Sequence, residues 1–134
     1  MTHCTFAPGF RLSALDVVIL FVGGVAAAAF TLIDGWIGLA IAFVVAHFFL
    51  FCNVLRMSRP MELGWAGVFA VLAVSSAAFG LLSWTIVFAC SIVLTLFLAT
   101  IEVRRPSYHG IGWRLLNPRL PEWWKTQTGS AAAR

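Results

Sequence analysis

The chain has 134 residues, of which 61% are hydrophobic and 10% are charged, and its formal net charge is +4. Its mean hydropathy is +0.95, whereas soluble domains usually carry a charged share of about 25%. This composition excludes a soluble globular domain and predicts an integral membrane protein. Its three cysteines show no CxxC spacing, so we expect neither a disulfide framework nor a zinc site.

The apolar residues form four unbroken blocks of about 20 residues, the length that an α-helix needs to cross a hydrocarbon core of about 30 Å. The alternating polarity of a membrane β-barrel is not seen in these blocks. We therefore predict an all-α bundle over residues 1–105, made of two consecutive helical hairpins with short outer turns. The first block leads directly into the second, so we do not expect a cleaved signal peptide. The predicted spans are 12–32, 36–55, 61–82 and 84–103.

Positive charge is confined to one side of the predicted bundle. All nine basic residues lie before the first span, between the second and third spans, or after the fourth. The two turns on the other side carry one charge, the acidic Asp34. The positive-inside rule then places both termini in the cytoplasm, and we expect a multi-pass protein of a bacterial plasma membrane. Trp36 and Trp84 are expected at the outer interface.

Two parts of the sequence match at a spacing of 48 residues, which superimposes Trp36 on Trp84 and Arg56 on Arg104. This spacing predicts two helical hairpins related by duplication. Alternatively, the membrane thickness imposes the same distance from tryptophan to arginine on two unrelated hairpins. The sequence does not distinguish these alternatives.

Small side chains recur at helical spacing along three of the spans. In lipid, close approach of two backbones through such residues drives helix association. We therefore predict packing faces there, without any implication for function. The faces are Gly23, Ala27 and Thr31 in the first span, Gly38, Ala42 and Ala46 in the second, and Ala66, Ala70, Ala73, Ala77 and Gly80 in the third.

The fourth span carries one polar face, formed by Ser91, Thr95 and Glu102. His47, near the middle of the second span, superimposes on Thr95 when the hairpins are aligned. An imidazole at this depth is expected to be neutral and to face protein. These groups could line a proton or ion path. The alternative, which we favour, is that the hydroxyls bond their own helix or hold two helices together.

We expect no cofactor and no catalysis. A bis-histidine haem site needs a second histidine at the depth of His47, whereas His3 and His109 lie outside the predicted spans. The sequence also shows no phosphate-binding glycine loop and no nucleophile with a base in reach, so we predict that the protein is not an enzyme.

Charged side chains gather where the predicted spans meet the cytoplasm, next to Asn53. We interpret them as a ring of ion pairs that holds the helix ends together; the functional alternative is binding of an anionic lipid headgroup. The ring comprises Asp16, Arg56, Arg59, Glu62, Arg104 and Arg105.

Residues 106–134 mix tryptophan with basic residues and are interrupted by proline and glycine. We predict an irregular cytoplasmic tail without a long helix, with residues 129–134 disordered. Such a mixture suits an anionic membrane surface or a groove on a protein partner. No nucleic-acid-binding module accompanies it. The candidate contact residues are Trp113, Arg114, Trp123 and Trp124.

Taken together, these features predict a non-catalytic accessory or assembly subunit of a larger membrane complex. Its partners would be the lipid bilayer and either other membrane subunits or a second copy of the chain, and not nucleic acid. A haem-binding membrane anchor is a distant alternative. The main alternative is a small oligomeric transporter or channel that uses His47, Ser91, Thr95 and Glu102.

Overall fold

The computed structural model describes residues 8–132, and the side chains of residues 8–127. Over this range the chain is helical and forms no strand. Four helices are long and apolar enough to cross a membrane. The predictions about His3 and residues 133–134 lie outside this range. The four helices are α1 (Ala14–Thr31), α2 (Gly35–Phe49, continued by a π-helix over Leu50–Leu55), α3 (Arg59–Ala77) and α4 (Trp84–Val103).

Short polar side chains begin three of these helices. At α1, Ser13 Oγ accepts from the Asp16 N–H at 3.2 Å, and the Asp16 carboxylate accepts from the Ser13 N–H at 2.7 Å. This reciprocal pair is a capping box, which satisfies two N–H groups that the helix leaves unbonded. Asp34 caps α2 by accepting from the Trp36 N–H at 2.8 Å, and Ser83 caps α4 in the same way.

Three predicted spans agree with the helices to within two residues at each end, and the third does not. Helix α3 ends at Ala77 rather than at residue 82. The reason is Gly80, whose φ of +62 is a conformation that glycine adopts without steric cost. The Gly80 N–H bonds to the Ser76 carbonyl at 3.1 Å, so the chain reverses here and the connection to α4 is longer than expected.

The second span ends in a π-helix, which was not predicted. Over Leu50–Leu55 the N–H groups bond to carbonyls five residues earlier, which widens the helix. The segment ends at Arg56, whose φ of 51 and ψ of 48 lie in the left-handed region. The Met57 N–H then bonds to the Phe51 carbonyl at 2.8 Å and closes the helix end.

Helices α1 and α2 pack through small residues, as their spacing predicted. Gly23 lies against Val45, and Gly38 lies against Thr31 so closely that an added Cβ would overlap its neighbour. Ala27, between these two contacts, is buried. The small residues of α1 therefore allow the two backbones to approach each other closely. The remaining small residues of the α2 stripe, Ala42 and Ala46, are exposed.

Large aromatic rings join α2 to α3 and α4. Phe43 lies at the centre, with its ring centroid 4.9 Å from Phe88, 5.6 Å from Phe69 and 6.1 Å from Trp65. Trp65 and Phe69 stack on each other with centroids 5.4 Å apart. Aromatic side chains therefore link these three helices, and an apolar groove of about 400 Å³ lies beside them, lined by α2, α3 and Trp84.

The small-residue stripe of α3 lies beside this aromatic core, where Ala73 packs against the core and borders an apolar groove with Ala77 and Phe69. Trp65 and Phe69 occupy the buried face of the helix, and a Cβ added to Gly64 or Gly67 would meet no atom within 4 Å. Apart from Ala73, the stripe is thus open rather than packed within the described chain. Its members Ala66, Ala70, Ala77 and Gly80 are exposed, and Ala73 is half-buried.

The tail folds back onto the end of α2. Tyr108 and Leu120 are 1% and 0% exposed. The Ile111 N–H bonds to the Val54 carbonyl at 2.8 Å, and the Tyr108 hydroxyl donates to the Ile111 carbonyl at 2.8 Å. Gly110 lies against the carbonyls that end the π-helix, where no Cβ would fit. The wide end of α2 thereby provides the surface onto which the tail docks.

The prediction of an irregular tail is wrong for two segments, α5 (Trp113–Leu116) and α6 (Leu120–Ala132). Pro121 lies in the first turn of α6, where a missing N–H costs nothing because that group has no partner within the helix. A proline that suggested a break therefore starts a helix. Residues 129–132, which were expected to be disordered, belong to α6.

Candidate functional site

His47 is packed among aromatic rings of α2 and α3. Its Nδ1 lies 2.8 Å from the Phe43 carbonyl, and because a carbonyl only accepts, Nδ1 carries the proton. The imidazole stacks on Trp65 with ring centroids 4.6 Å apart and planes inclined by 10°. It also makes an edge-to-face contact with Phe51, with ring centroids 5.7 Å apart. The side chain is half-buried in the protein.

Trp65 connects His47 to the polar face of α4. Its indole Nε1 donates to Thr95 Oγ1 at 2.9 Å and lies 3.3 Å from the Ser91 carbonyl. Since its ring also stacks on His47, the indole stands between the imidazole and these oxygens. The predicted grouping of His47 with Ser91 and Thr95 therefore exists only through Trp65, which sequence analysis did not single out. The available signal was a tryptophan within an apolar span, where its N–H needs a partner when the side chain is buried.

The hydroxyls of the polar face are bonded to their own helix. Ser91 Oγ donates to the Val87 carbonyl at 2.7 Å, and Thr95 Oγ1 donates to the Ser91 carbonyl at 2.8 Å. Both residues are buried. Thr95 also accepts the indole N–H, so its hydroxyl both donates and accepts. Serine and threonine side chains in membrane helices commonly bond to the carbonyl one turn earlier in this way.

Glu102, the third member of that face, lies in a different environment at the end of α4. It is 5% exposed, and its Oε2 lies 3.3 Å from Arg105 Nη1. Although this is an ion pair by distance, the direction of the donor misses the oxygen, and Oε2 makes no hydrogen bond to the described residues. Glu102 is therefore attracted to Arg105 without being fixed by it.

A cleft of about 410 Å³ opens where the end of the π-helix, the start of α3, the end of α4 and the tail meet. We call this part of the fold the basic end. The cleft is lined by charged side chains from separate segments of the chain. They are Arg11, Arg56, Arg59, Glu62, Glu102 and Arg105.

Several contacts hold the walls of this cleft together. Arg59 Nη1 lies 3.6 Å from Glu62 Oε2 within α3. Cys52 Sγ donates to Glu62 Oε1 at 3.3 Å, which joins α2 to α3. Arg105 Nη1 donates to Ser58 Oγ at 3.1 Å, which joins the end of α4 to the start of α3.

The predicted charge ring is only partly assembled. Arg56, Arg59, Glu62 and Arg105 line the cleft together with two charged residues that the prediction did not include, Arg11 and Glu102. Arg104 instead faces a second cleft, of about 620 Å³, between the end of α4 and α6. Asp16 is not among the residues that line the cleft, and its carboxylate belongs to the capping box of α1.

Asn53 positions the segment that carries Arg11. It is 2% exposed, and its backbone carbonyl accepts from the Arg11 N–H at 3.4 Å. Oriented by its neighbouring acceptors, its amide nitrogen donates to Asp16 Oδ2 at 2.9 Å and to the Arg11 carbonyl. The π-helix therefore holds the segment before α1 against the basic end.

The electrostatics of the basic end are unusual at two groups. Burial lowers the pKa of the Arg56 guanidinium, and the positive charge of Arg11 lowers this pKa further. The guanidinium remains protonated, because its ordinary pKa is far above neutrality. Burial, and secondly the charge of Glu102, raises the pKa of Tyr108. Two arginines are thus held close enough to interact unfavourably.

The candidate contact residues of the tail are distributed over α5 and α6. The Arg114 guanidinium lies 5.7 Å from the centre of the Trp113 ring, within cation–π range. Trp123 lines the second cleft, and its ring centroid is 6.5 Å from that of Trp124. The three tryptophans are half-buried and Arg114 is exposed.

Within the described residues, no three histidine, cysteine, aspartate or glutamate side chains are placed to hold a metal ion. Comparison of the chain with protein-family models, with curated proteins and with solved structures gave no match.

Proposed function

We propose that this chain is a non-catalytic integral membrane protein that packs, as an accessory or assembly subunit, beside a larger membrane protein. The observation that carries this proposal is the open small-residue face of α3. Gly67 and Ala70 are exposed and lie outside the buried face that Trp65 and Phe69 form. We infer that a transmembrane helix of the partner occupies this face.

The chemistry of α3 supports a protein neighbour over lipid. Lipid chains are as apolar as leucine, so helices associate in a membrane through close packing of backbones, which requires small residues. Helix α3 is the least apolar of the four spans, and a Cβ at Gly67 would meet no atom of the described residues within 4 Å. A second helix could therefore approach the α3 backbone closely at this position.

The interior of the chain supports a packing role over a transport role. Rings of Phe43, Trp65 and Phe69 pack against one another between α2 and α3, and Phe43 also contacts Phe88 of α4. The hydroxyls of Ser91 and Thr95 are already bonded, whereas an ion path needs oxygen atoms that can replace water around the ion. The transporter alternative with His47, Ser91, Thr95 and Glu102 therefore has no comparable observation in its favour.

The proposed arrangement in the membrane is two consecutive hairpins with both termini on the cytoplasmic side of a bacterial plasma membrane. Contacts between α1 and α2 and between α3 and α4 support the hairpins. The gathering of Arg11, Arg56, Arg59 and Arg105 at one cleft supports the orientation, because positive charge is retained on the cytoplasmic side. The tail would then lie at the inner membrane surface.

Co-purification tests the proposed role. An affinity-tagged chain, extracted from its source membrane in mild detergent, should co-migrate with one larger membrane protein. Gly67→Leu should lower recovery of that protein by about tenfold or more, because the leucine fills the open face. The matched control is Gly24→Leu, which also changes an exposed glycine of a span with no atom within 4 Å. Equal recovery with both variants, or a chain that always purifies alone, contradicts the proposal.

A further inference from the structure

We propose that the cleft at the basic end binds a phosphate group, carried either by a lipid headgroup or by a soluble phosphate compound. The inference does not depend on the proposed subunit role. It rests on the convergence of four arginines from four separate segments, which local sequence does not require. They are Arg11 before α1, Arg56 after the π-helix, Arg59 at the start of α3 and Arg105 after α4.

The charges of the cleft favour an anion. Four guanidinium groups outnumber the two carboxylates, Glu62 and Glu102, that line the same space. Guanidinium groups match the geometry of phosphate oxygens, and arginine is favoured wherever phosphate is bound by paired hydrogen bonds. The volume of about 410 Å³ lies within the range of small-molecule sites, so a phosphate with an attached group could be accommodated.

The backbone at Arg56 gives an independent reason. Its φ of 51 is disfavoured for any residue with a Cβ, and glycine would adopt it without that cost. An arginine at this position is explained if its side chain has a role that offsets the unfavourable backbone. A phosphate group between Arg11 and Arg56 would also offset the repulsion through which Arg11 lowers the pKa of Arg56.

The walls of the cleft are fixed before a ligand arrives. Asn53 holds the segment of Arg11 through its backbone carbonyl, and Ser58 holds Arg105 by accepting from Nη1 at 3.1 Å. The Glu102 carboxylate, by contrast, makes no hydrogen bond through Oε2 to any residue that the structure describes. Fixed donors lose less conformational entropy on binding than mobile ones, so this arrangement suits recognition of a phosphate group.

The test uses the full chain, purified in a neutral detergent and freed of phosphate and bound lipid. Native mass spectrometry should show a retained adduct with a short-chain phosphatidylglycerol and none with diacylglycerol, which lacks the phosphate. Arg56→Gly should weaken the adduct by about tenfold or more while its melting temperature stays equal or rises, because glycine relieves the backbone. The matched control, Arg104→Gln, removes a charge that lies outside the cleft and should leave the adduct unchanged.

Inorganic phosphate distinguishes the two sources. If a soluble phosphate compound is the ligand, inorganic phosphate displaces the lipid and raises the melting temperature of the wild type but not of Arg56→Gly. If a lipid headgroup is the ligand, the adduct survives excess inorganic phosphate. The proposal is overturned if neither probe binds, or if Arg104→Gln weakens binding as much as Arg56→Gly, since general surface charge would then explain the adduct.

Discussion

The indole of Trp65 lies parallel to the imidazole of His47, with ring centroids 4.6 Å apart, and its N–H is directed to Thr95 on α4. One side chain thus joins three helices, by stacking on α2 and by a hydrogen bond to α4. This contact makes His47 part of a packed aromatic core. It also makes Trp65 the residue on which the association of α2, α3 and α4 should depend most.

Substitutions at Trp65 should separate its packing from its hydrogen bond. Trp65→Phe keeps an aromatic ring and loses the N–H, so we expect it to lower the free energy of unfolding by about 1 kcal/mol. Trp65→Ala leaves a cavity and should cost about 3–5 kcal/mol. Unfolding in mixed micelles measures both. Equal losses for the two variants would contradict a role based on packing.

His47→Phe should preserve the fold. A phenyl ring can stack on Trp65 in place of the imidazole, so we expect a loss of less than about 1.5 kcal/mol in the free energy of unfolding. His47→Ala removes the stacking and should cost more, about 2 kcal/mol. Co-purification with the partner should survive His47→Phe. If that variant folds normally and still loses the partner or abolishes an ion flux in liposomes, the imidazole has a chemical role.

Gly110→Ala should release the tail from the end of α2. A Cβ at this position would lie 2.6 Å from the Leu55 carbonyl oxygen and 2.8 Å from that of Val54, and backbone atoms cannot move aside cheaply. We expect a cost of about 1–3 kcal/mol in docking and faster proteolysis within residues 106–120. The matched control is Gly64→Ala, whose Cβ would meet no atom within 4 Å. Unchanged proteolysis in Gly110→Ala would mean that the tail is not docked there.

The ionisation of Tyr108 should report on tail docking at alkaline pH. The chain contains one tyrosine, so tyrosinate absorbance reports this side chain alone. Because burial and Glu102 raise its pKa above the ordinary value of 10.0, the docked tail is fully stabilised below that pH and loses stability as the pH rises through the raised pKa. The apparent pKa should fall towards 10 in Gly110→Ala. A wild-type titration with an ordinary pKa would show that the phenol is not buried.

The four long apolar helices could be predicted because each depends on a continuous apolar block, which is a local signal. Helices α1, α2 and α4 also begin at the capping residues Ser13, Asp34 and Ser83. The π-helix at Leu50–Leu55 could not be predicted, since its wider hydrogen bonding has no compositional signature. The docked tail was missed for a related reason. Pro121 and Gly110 resemble helix breakers in a sequence, but one starts a helix and the other permits a close contact that only the tertiary structure defines.

The composition of the cleft and the role of Trp65 also could not be predicted from the sequence, because both depend on tertiary contacts. Sequence position placed the arginines at one end of the bundle, but only the fold leaves Arg104 out of the cleft that Arg56, Arg59 and Arg105 line, and adds Arg11 to that cleft. Likewise, the repeat brought His47 and Thr95 into register but gave no indication that Trp65 lies between them. Residues that meet through tertiary contacts leave no pattern at helical spacing.

Photo-crosslinking from the open face of α3 tests the proposed subunit role most directly. A photoreactive residue at Ala70 should capture one larger membrane protein in the source membrane, and Gly67→Leu in the same chain should abolish that product. The control position is Val22, an exposed residue of α1, which should capture no protein. Cross-linking only to a second copy of the chain, or equal products from Ala70 and Val22, would contradict the proposal that α3 receives a helix of a larger partner.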